Sequence, residues 1–473
     1  MTTLVAYLDD IQHRLDALAR HHHVPGAVLA VSQGQETLDF ATGVINRGTG
    51  VETTTDSVFQ IGSNTKLMTT TLIMQLVDAG QVGLDEPVRR YVPDFELAER
   101  GAAARITLRH LLTHTSGIQG DFFDGFGRGD DAIERYVVAL RKIDLVHRTG
   151  QMWSYCNSGF VLAGHVAERV TGLPYHRLLS ERICAPLGLR RTTVLAEEML
   201  ARRCAVGHLA GPDGVPVVPP VVVMEAASVP AGSRTVATAA ELASFARMHL
   251  AGGTARDGTR VLSAASARAM TQVQSARPPG SDAPASQGLG WLMADWAGVR
   301  VIGHGGGTIG QLSFLQAIPE RDLVIVLLTN AMTGGALWED LGRWLFETLA
   351  GVRMPRVPKP ADPPPDLSLE NYAGTYERLG VHYDVAIEDA RLVMRARLSG
   401  ALAELSGDRE QPPVRLLPVN RESFVTADGE TLVNFLEFRK GRPGYLFAGR
   451  VARRSGPPAK RKSAPPAKRR PKP

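Results

Sequence analysis

Apolar residues recur at helical spacing at the start of the chain. Leu4, Leu8, Ile11, Leu15 and Leu18 share one face of an amphipathic helix predicted over residues 3–20. A β-type run follows, Gly26-Ala-Val-Leu-Ala-Val-Ser32. With a turn and the alternating Thr37-Leu-Asp-Phe-Ala41 it predicts an antiparallel hairpin. Residues 64–79 read as a buried helix ending at Gly80, and further helices are predicted at 157–171 and 174–183. A mixed region, 190–300, holds a helical stretch near 238–250. β-type runs return at 299–303 and 323–329 around a strand candidate at 312–318, and residues 335–350 predict a closing helix. Strands at both ends with helices between them give an α/β fold: one antiparallel sheet assembled from both termini and covered by helices.

Beyond this body the pattern changes. Residues 355–365 contain six prolines, and we read 353–366 as an extended linker. Period-2 runs then appear: Val381, Tyr383, Val385 and Ile387; Leu392 and Met394; Leu432, Asn434, Leu436 and Phe438. Separated by Gly-containing turns, they predict a small all-β barrel or sandwich over residues 367–452. Residues 453–473 are Pro, Ala, Lys and Arg plus Ser455, Gly456 and Ser463. Such a segment cannot bury enough apolar surface to fold, so a disordered basic tail is expected. The organisation is then a main domain 1–352, the linker, the β domain and the tail.

Composition narrows the function classes. The 473 residues are 44% hydrophobic and 21% charged, ordinary for a globular chain with a sizeable core. The formal charge of +5 comes from the last 21 residues, which hold nine Lys/Arg and no acid; the rest has 44 basic against 48 acidic residues. Basicity therefore belongs to the tail and does not mark a specific nucleic-acid-binding face. Three cysteines without CxxC or metal-type spacing argue against a disulfide scaffold and a zinc site. His21, His22 and His23 read as a solvated turn, and no metal or organic cofactor is implied. The N-terminus lacks a basic segment followed by an apolar one, and no apolar run reaches the ~18 residues of a membrane span. A cytoplasmic location with no membrane partner is the expectation.

Three motifs carry chemistry. The first is Phe59-Gln-Ile-Gly-Ser63-Asn-Thr-Lys66. A serine hydroxyl needs a base within hydrogen-bond reach, and a lysine three residues on lies on the same helix face. Lysine can lose its proton when desolvated, whereas arginine cannot. Only Lys66 and Lys142 precede the linker in a chain with 53 basic residues, so a lysine at 66 points to chemistry that arginine does not provide. The alternative is a helix-capping serine with a surface lysine. The second motif is Trp153-Ser-Tyr155-Cys-Asn157-Ser-Gly. It places a phenol able to relay a proton beside an amide able to hold Lys66 or a substrate carbonyl, with Cys156 pointing away. The alternative is a buried tyrosine and an N-capping asparagine. The third is Gly303-His304-Gly-Gly306-Gly307-Thr-Ile-Gly310, between strand-like runs. Here Gly306 and Gly307 let a substrate lie along a strand edge, a bare N–H supplies half of an oxyanion hole, and His304 serves as donor or positive charge. The alternative is a glycine-rich hairpin.

Together the three motifs resemble the serine β-lactamase and penicillin-binding protein superfamily, in the pattern of class C β-lactamases and D-aminopeptidases. Leu111-Leu-Thr-His114-Thr-Ser-Gly117, Pro186-Leu-Gly-Leu189, Pro230-Ala-Gly and Gly288-Leu-Gly-Trp291 extend the likeness, in family order, over about residues 10–350. His304 stands where class C β-lactamases carry lysine, which weakens the inference of β-lactam turnover. Residues 120–131, the Ser154–Phe160 run and Gly310-Gln-Leu-Ser-Phe-Leu are similar to the stand-alone penicillin-binding-type thioesterases, which release and cyclise nonribosomal peptides and carry a lipocalin-like C-terminal domain.

The resemblance implies a β-lactamase-like catalytic domain and a lipocalin-like β domain. It implies Ser63 as nucleophile, Lys66 and Tyr155 handling the proton, and the N–H groups of Ser63 and Gly307 holding the oxyanion. Asn157, His304 and Gly306 would position substrate, and Arg450 is a candidate substrate contact from the β domain. The implied substrate is a peptidyl thioester, ester or amide with a D-configured acyl residue, with a peptidyl carrier protein as candidate partner. A generic esterase or β-lactamase, a D-aminopeptidase and a non-enzymatic binding module are the competing readings.

Overall fold

The computed structural model describes residues 4–211, 213–279, 285–406 and 409–457. The chain forms two compact units, Met1–Val357 and Pro358–Pro473. The first is built on a nine-stranded antiparallel sheet. Its strands are β1 (Gly26–Gln33), β2 (Glu36–Asn46), β3 (Val51–Glu52), β4 (Ser275–Ala276), β5 (Ala285–Gln287), β6 (Leu292–Trp296), β7 (Val299–Thr308), β8 (Gln311–Ile318) and β9 (Leu323–Thr329). Their spatial order is β3-β2-β1-β9-β8-β7-β6-β5-β4, so strands from the two ends of the unit meet at the centre. There β1 pairs with β9 from Ala27 opposite Thr329 to Gln33 opposite Leu323.

The central strands are near-continuous apolar runs because both of their faces are covered. All seven residues of β9, Leu-Val-Ile-Val-Leu-Leu-Thr, are buried. On one face Leu29, Val31, Ile325 and Leu327 pack against Ile11 and Leu15 of α1 (Leu8–His21) and against Leu341 and Leu345 of the closing helix (Gly334–Ala350). The alternate residues, among them Val28, Ala30, Val324 and Val326, point to the opposite face, where the helix Ala239–Leu250 packs on β1 and β9.

Deeper in the unit lies α2 (Thr65–Asp78), buried almost all round. Its three adjacent threonines fit there because each hydroxyl turns back onto its own helix. Thr70 Oγ1 donates to Lys66 O at 2.8 Å and Thr71 Oγ1 to Leu67 O at 2.8 Å. Among the described residues no helix is long and apolar enough to cross a membrane.

Several details differ from the sequence reading. The first helix begins at Leu8, after a 3₁₀ turn over Leu4–Tyr7. The stretch expected at 174–183 divides into an α-helical turn, Tyr175–Leu179, and a π-turn, Ser180–Cys184. Gly303–Gly307 does not connect two strands; it lies within β7. The histidine cluster is anchored as well as solvated, since His22 Nε2 lies 2.9 Å from Asp340 Oδ2 of the closing helix.

The second unit is a closed eight-stranded antiparallel barrel. Its strands are β10 (Gly374–Arg378), β11 (Val381–Glu388), β12 (Arg391–Leu398), β13 (Val414–Pro418), β14 (Ser423–Thr426), β15 (Leu432–Arg439), β16 (Arg442–Phe447) and β17 (Val451–Gly456). The inward positions Tyr376, Val385, Phe424, Phe435 and Leu446 fill the interior as a core. This is the lipocalin-like domain in its small, packed form. A boundary at residue 452 falls inside β17. Closure requires a last strand to pair with β10, and Arg454 is held there by Nη1 donating to Asn371 O at 2.7 Å. Residues 458–473, most of the expected tail, lie outside the described residues.

Candidate active site

Ser63 sits in a 3₁₀ turn, Gly62–Asn64, that runs directly into α2. The turn is fastened from three sides. Asn64 Nδ2 donates to Ser313 Oγ of β8 at 2.7 Å, and Ser313 Oγ donates to Ile61 O at 2.7 Å. Thr65 Oγ1 donates to Gly62 O at 2.8 Å, and Ile61 N donates to Thr235 O at 2.9 Å.

Glycines let the three backbones close on the serine. A Cβ on Gly306 would lie 2.0 Å from Ile61 O, and one on Gly62, whose φ is +50°, would lie 2.6 Å from Gly307 N. A Cβ on Gly232 would lie 2.0 Å from Gly62 O and 3.0 Å from Ser63 N. Gly306 and Gly307 of β7 are thus brought against the nucleophile turn. The sequence pattern marked both these glycines and the Ser63 motif, but not the close approach of Gly306 to Ile61 that joins them.

Lys66, one helical turn further, is fully buried. Its Nζ donates to Ser63 Oγ at 2.9 Å and to Ala231 O at 2.6 Å. The same nitrogen lies 4.9 Å from the ring centroid of Tyr155 and 5.6 Å from that of Phe160. Ser63, Lys66 and Tyr155 are therefore one cluster, and the surface-lysine alternative does not describe it.

Tyr155 and Asn157 flank the start of the helix α3 (Asn157–Thr171), and the cap belongs to Cys156 between them. Its Sγ accepts from Gly159 N at 3.2 Å and donates to Ile118 O at 3.2 Å. Released from capping, Asn157 Nδ2 donates to Asp121 Oδ1 at 3.3 Å. His114 supports the same segment. Its ring stacks on Tyr155 with centroids 4.4 Å apart, and its Nδ1 accepts from Cys156 N at 3.0 Å. Sequence reasoning gave no role to His114, Asp121 or the thiol of Cys156. His114 was visible only as part of a family-like stretch, and Asp121 lies 36 residues from the amide it meets.

His304 corrects an expectation. It is buried on β7, with its ring centroid 6.1 Å from that of Tyr155. Desolvation first, and then the nearby Lys66 charge, push its pKa down to about 3, so the ring is neutral near neutral pH. Nδ1 lies 2.5 Å from Gly305 O. Only an N–H can face a carbonyl oxygen there, which leaves Nε2 with a lone pair. That nitrogen is buried without a partner among the described residues. The site is thus offered an acceptor in place of the donor or cation read from the sequence. Arg450 lies in the turn between β16 and β17 of the C-terminal unit. Among the described residues, no group of three or more His, Cys, Asp and Glu side chains is arranged to hold a metal ion.

The family model described as Beta-lactamase matches residues 10–350. Penicillin-binding protein 4 of Amycolatopsis lactamdurans is 44% identical over 370 residues, 78% of this chain and 97% of the relative. The unguisins hydrolase ungD' of Aspergillus campestris (strain IBT 28561) is 25% identical over 469 residues, 89% of this chain and 85% of the relative. The crystal structure of SurE matches with a TM-score of 0.78 at 25% identity, over 96% of this chain and 100% of SurE. A crystal structure of SurE with D-Leu matches with a TM-score of 0.73. Since the match runs unbroken through the serine, tyrosine and glycine motifs, the chain belongs to the beta-lactamase family and is a serine hydrolase of that family.

Proposed function

We propose that the chain works through an acyl-serine intermediate formed on Ser63, and that its acyl donor is a peptidyl thioester or ester ending in a D-residue. The observation that carries the chemistry is the 2.9 Å contact between Ser63 Oγ and the buried Nζ of Lys66. Ser63 Oγ attacks the acyl carbonyl and Lys66 takes its proton. The N–H groups of Ser63 and Gly307 hold the developing oxyanion, and Asn157 and Gly306 position the donor. Tyr155, against the Lys66 ammonium, relays the proton to the leaving thiol, alcohol or amine. His304 Nε2 accepts a hydrogen bond from substrate. The tetrahedral adduct collapses to the acyl-serine, and water or an amine of the same peptide then resolves it.

The peptide assignment draws on two likenesses: a relative named as a hydrolase of unguisins, and a structural neighbour crystallised with D-Leu. The likeness of residues 120–131 to peptide-cyclising thioesterases supports release by macrocyclisation, with a peptidyl carrier protein as the donor's partner. A held internal amine can reach an effective molarity of ~10⁵ M, enough to outcompete water in the same site.

The test is a synthetic peptidyl thioester made with D- and L-terminal residues and analysed for cyclic and linear products. Preference for the D-form with cyclic product is the expected result. Indifference to the stereocentre, or linear acid alone across several sequences, would return the reading to a generic esterase, β-lactamase or D-aminopeptidase.

A further inference from the structure

A cavity of about 320 Å³ opens beside the 231–235 segment. Ile133, Tyr175 and Val229 contribute its apolar wall, and Arg128 and Arg234 are its cations. Two contacts tie it to the nucleophile. Tyr175 in the wall lies with its hydroxyl 2.7 Å from Thr69 Oγ1, three residues beyond Lys66 on α2. Gly232, two residues before Arg234, is the glycine packed on Gly62 and Ser63. Two residues of chain span at most about 7 Å. Arg234 therefore stands on the segment that packs against the Ser63 turn, and the cavity shares that wall.

The charges in the cavity are unequally satisfied. Glu168 is engaged: one oxygen accepts from Tyr175 N at 2.9 Å, and the other lies 3.3 Å from His165 Nδ1. Asp130 lies 3.7 Å from His176 Nδ1. Arg234 is different. Its Nη2 donates to Met224 O at 2.7 Å, but its Nε is buried without a partner among the described residues. Glu225, Glu197 and Arg128 act on it through their charges, yet among the described residues it forms no ion pair. Burial holds its pKa below the ordinary guanidinium range. Arg234 is half-buried, its buried Nε lacks an acceptor among the described residues, and the planar fork of arginine suits an oxyanion supplied from outside.

We infer that this cavity is a subsite for an anionic group of the acyl donor, held by Arg234 with Arg128 as the outer cation. The ligand chemistry is an oxyanion, either a carboxylate of the peptide or a phosphate ester of its carrier arm. The inference rests on the acyl-serine reading for its place in the reaction, but the site itself is an equilibrium property.

The experiment uses the full-length Ser63→Ala protein and calorimetric titration with glutarate and with inorganic phosphate. Binding of at least one anion, weakened at least tenfold by Arg234→Gln and less by Arg234→Lys, is the expected result. Preference for glutarate assigns the peptide carboxylate, and preference for phosphate assigns the carrier arm. Arg128→Gln, on an exposed residue where misfolding is not a concern, weakens binding by about two- to fivefold. In the wild-type background, the ratio of kcat/KM for p-nitrophenyl glutarate over p-nitrophenyl butyrate falls at least tenfold in Arg234→Gln. Absence of binding by both anions, or binding unchanged by Arg234→Gln in a protein with native near-ultraviolet dichroism, overturns the subsite. Absence of a p-nitrophenol burst with both esters counts against the acyl-serine reading and leaves the titration to decide the subsite.

Discussion

The imidazole of His114 lies within 29° of parallel to the ring of Tyr155, and its Nδ1 takes the N–H of the next residue, Cys156. His114 also holds a left-handed backbone, φ +57°, which costs of the order of 1–3 kcal/mol outside glycine. One residue with a strained backbone thus sets both the face of the phenol and the start of α3. His114→Ala should lower the acylation rate by about 10–10²-fold through misplacement of Tyr155. The orphaned Cys156 N–H should cost about 1–3 kcal/mol of stability. His114→Asn keeps an acceptor and tolerates the backbone, so it should recover stability ahead of rate. Acylation by a penicillin or fluorophosphonate probe, measured beside urea unfolding, separates the two. A rate that follows only the folded fraction would reduce His114 to a structural role.

Lys66 offers a sharper test of chemistry against charge. Its nitrogen is committed to Ser63 Oγ and Ala231 O in a sealed site. Arginine keeps the positive charge but cannot supply a neutral amine at working pH. Lys66→Arg and Lys66→Ala should both lose the ~10²–10⁴-fold typical of a general base. Retention of more than about a tenth of the rate by the arginine variant would make Lys66 an electrostatic group and not the base.

Gly306 and Gly307 are neighbours with opposite tolerance. On Gly306 a methyl would meet Ile61 O at 2.0 Å and Ser313 Oγ at 2.3 Å. On Gly307 the nearest atom would be Leu312 Cδ2 at 3.5 Å, an ordinary contact. Gly306→Ala should therefore push β7 off the serine turn, costing about 1–3 kcal/mol and most of the acylation. Gly307→Ala retains its N–H and should change stability by less than about 0.5 kcal/mol while still acylating. The reverse order of the two variants would show that β7 does not close on Ser63 as described.

These sites show what the chain discloses before folding. The Ser63–Lys66 spacing was legible because lysine is scarce in the main domain, and the sheet was legible because its strands are unbroken apolar runs. The glycine run read as a connection because glycine is depleted in strands. It is a strand here because another backbone lies where side chains would be. The charge of His304 was misread for a related reason: desolvation decides it, and burial is a tertiary property. Cys156 as a helix cap and Asp121 as partner of Asn157 depend on loops that meet only in the fold. At the other end, a run of arginines and serine looked unfoldable until barrel closure gave β17 a partner.

A second buried histidine links the core to pH. His249 lies edge-on to Trp291 with Nε2 3.1 Å from Thr71 Oγ1, and burial pushes its pKa down to about 3. On acidification the unfolded chain binds a proton near the ordinary value of 6.5, while the native chain waits until about 3. The stabilisation is complete above 6.5 and is lost progressively as pH falls below it. The slope is ~1.4 kcal/mol per pH unit for each such histidine, or ~3 for His249 and His304 together. Urea unfolding between pH 5 and 6.5, above the carboxylate range, should show stability falling as pH falls. His249→Gln should reduce that slope by up to ~1.4 kcal/mol per pH unit, the remainder belonging to His304 and to His110 and His208, which burial also shifts down. An unchanged slope in the variant would mean that His249 takes up its proton in the native state.

The last strand of the barrel limits where the chain can be cut. β17 closes the barrel by pairing with β10 and β16, and its Arg454 bonds to Asn371 O across the seam. Ending the chain after Ala452 would remove four strand residues and leave β10 with an open edge. That protein should lose the cooperative unfolding of the barrel, whereas one ending after Pro457 should keep it. The compact unit Met1–Val357 carries Ser63, Lys66 and Tyr155 with its own core, so alone it should still be acylated by a small probe. If the barrel takes part in substrate choice, loss of it should raise KM for peptidyl thioesters while small esters react as before. Arg450→Ala in the full chain should reproduce part of that change. Identical substrate profiles for the 1–357 fragment, the Arg450→Ala protein and the intact chain would remove both the barrel and Arg450 from recognition.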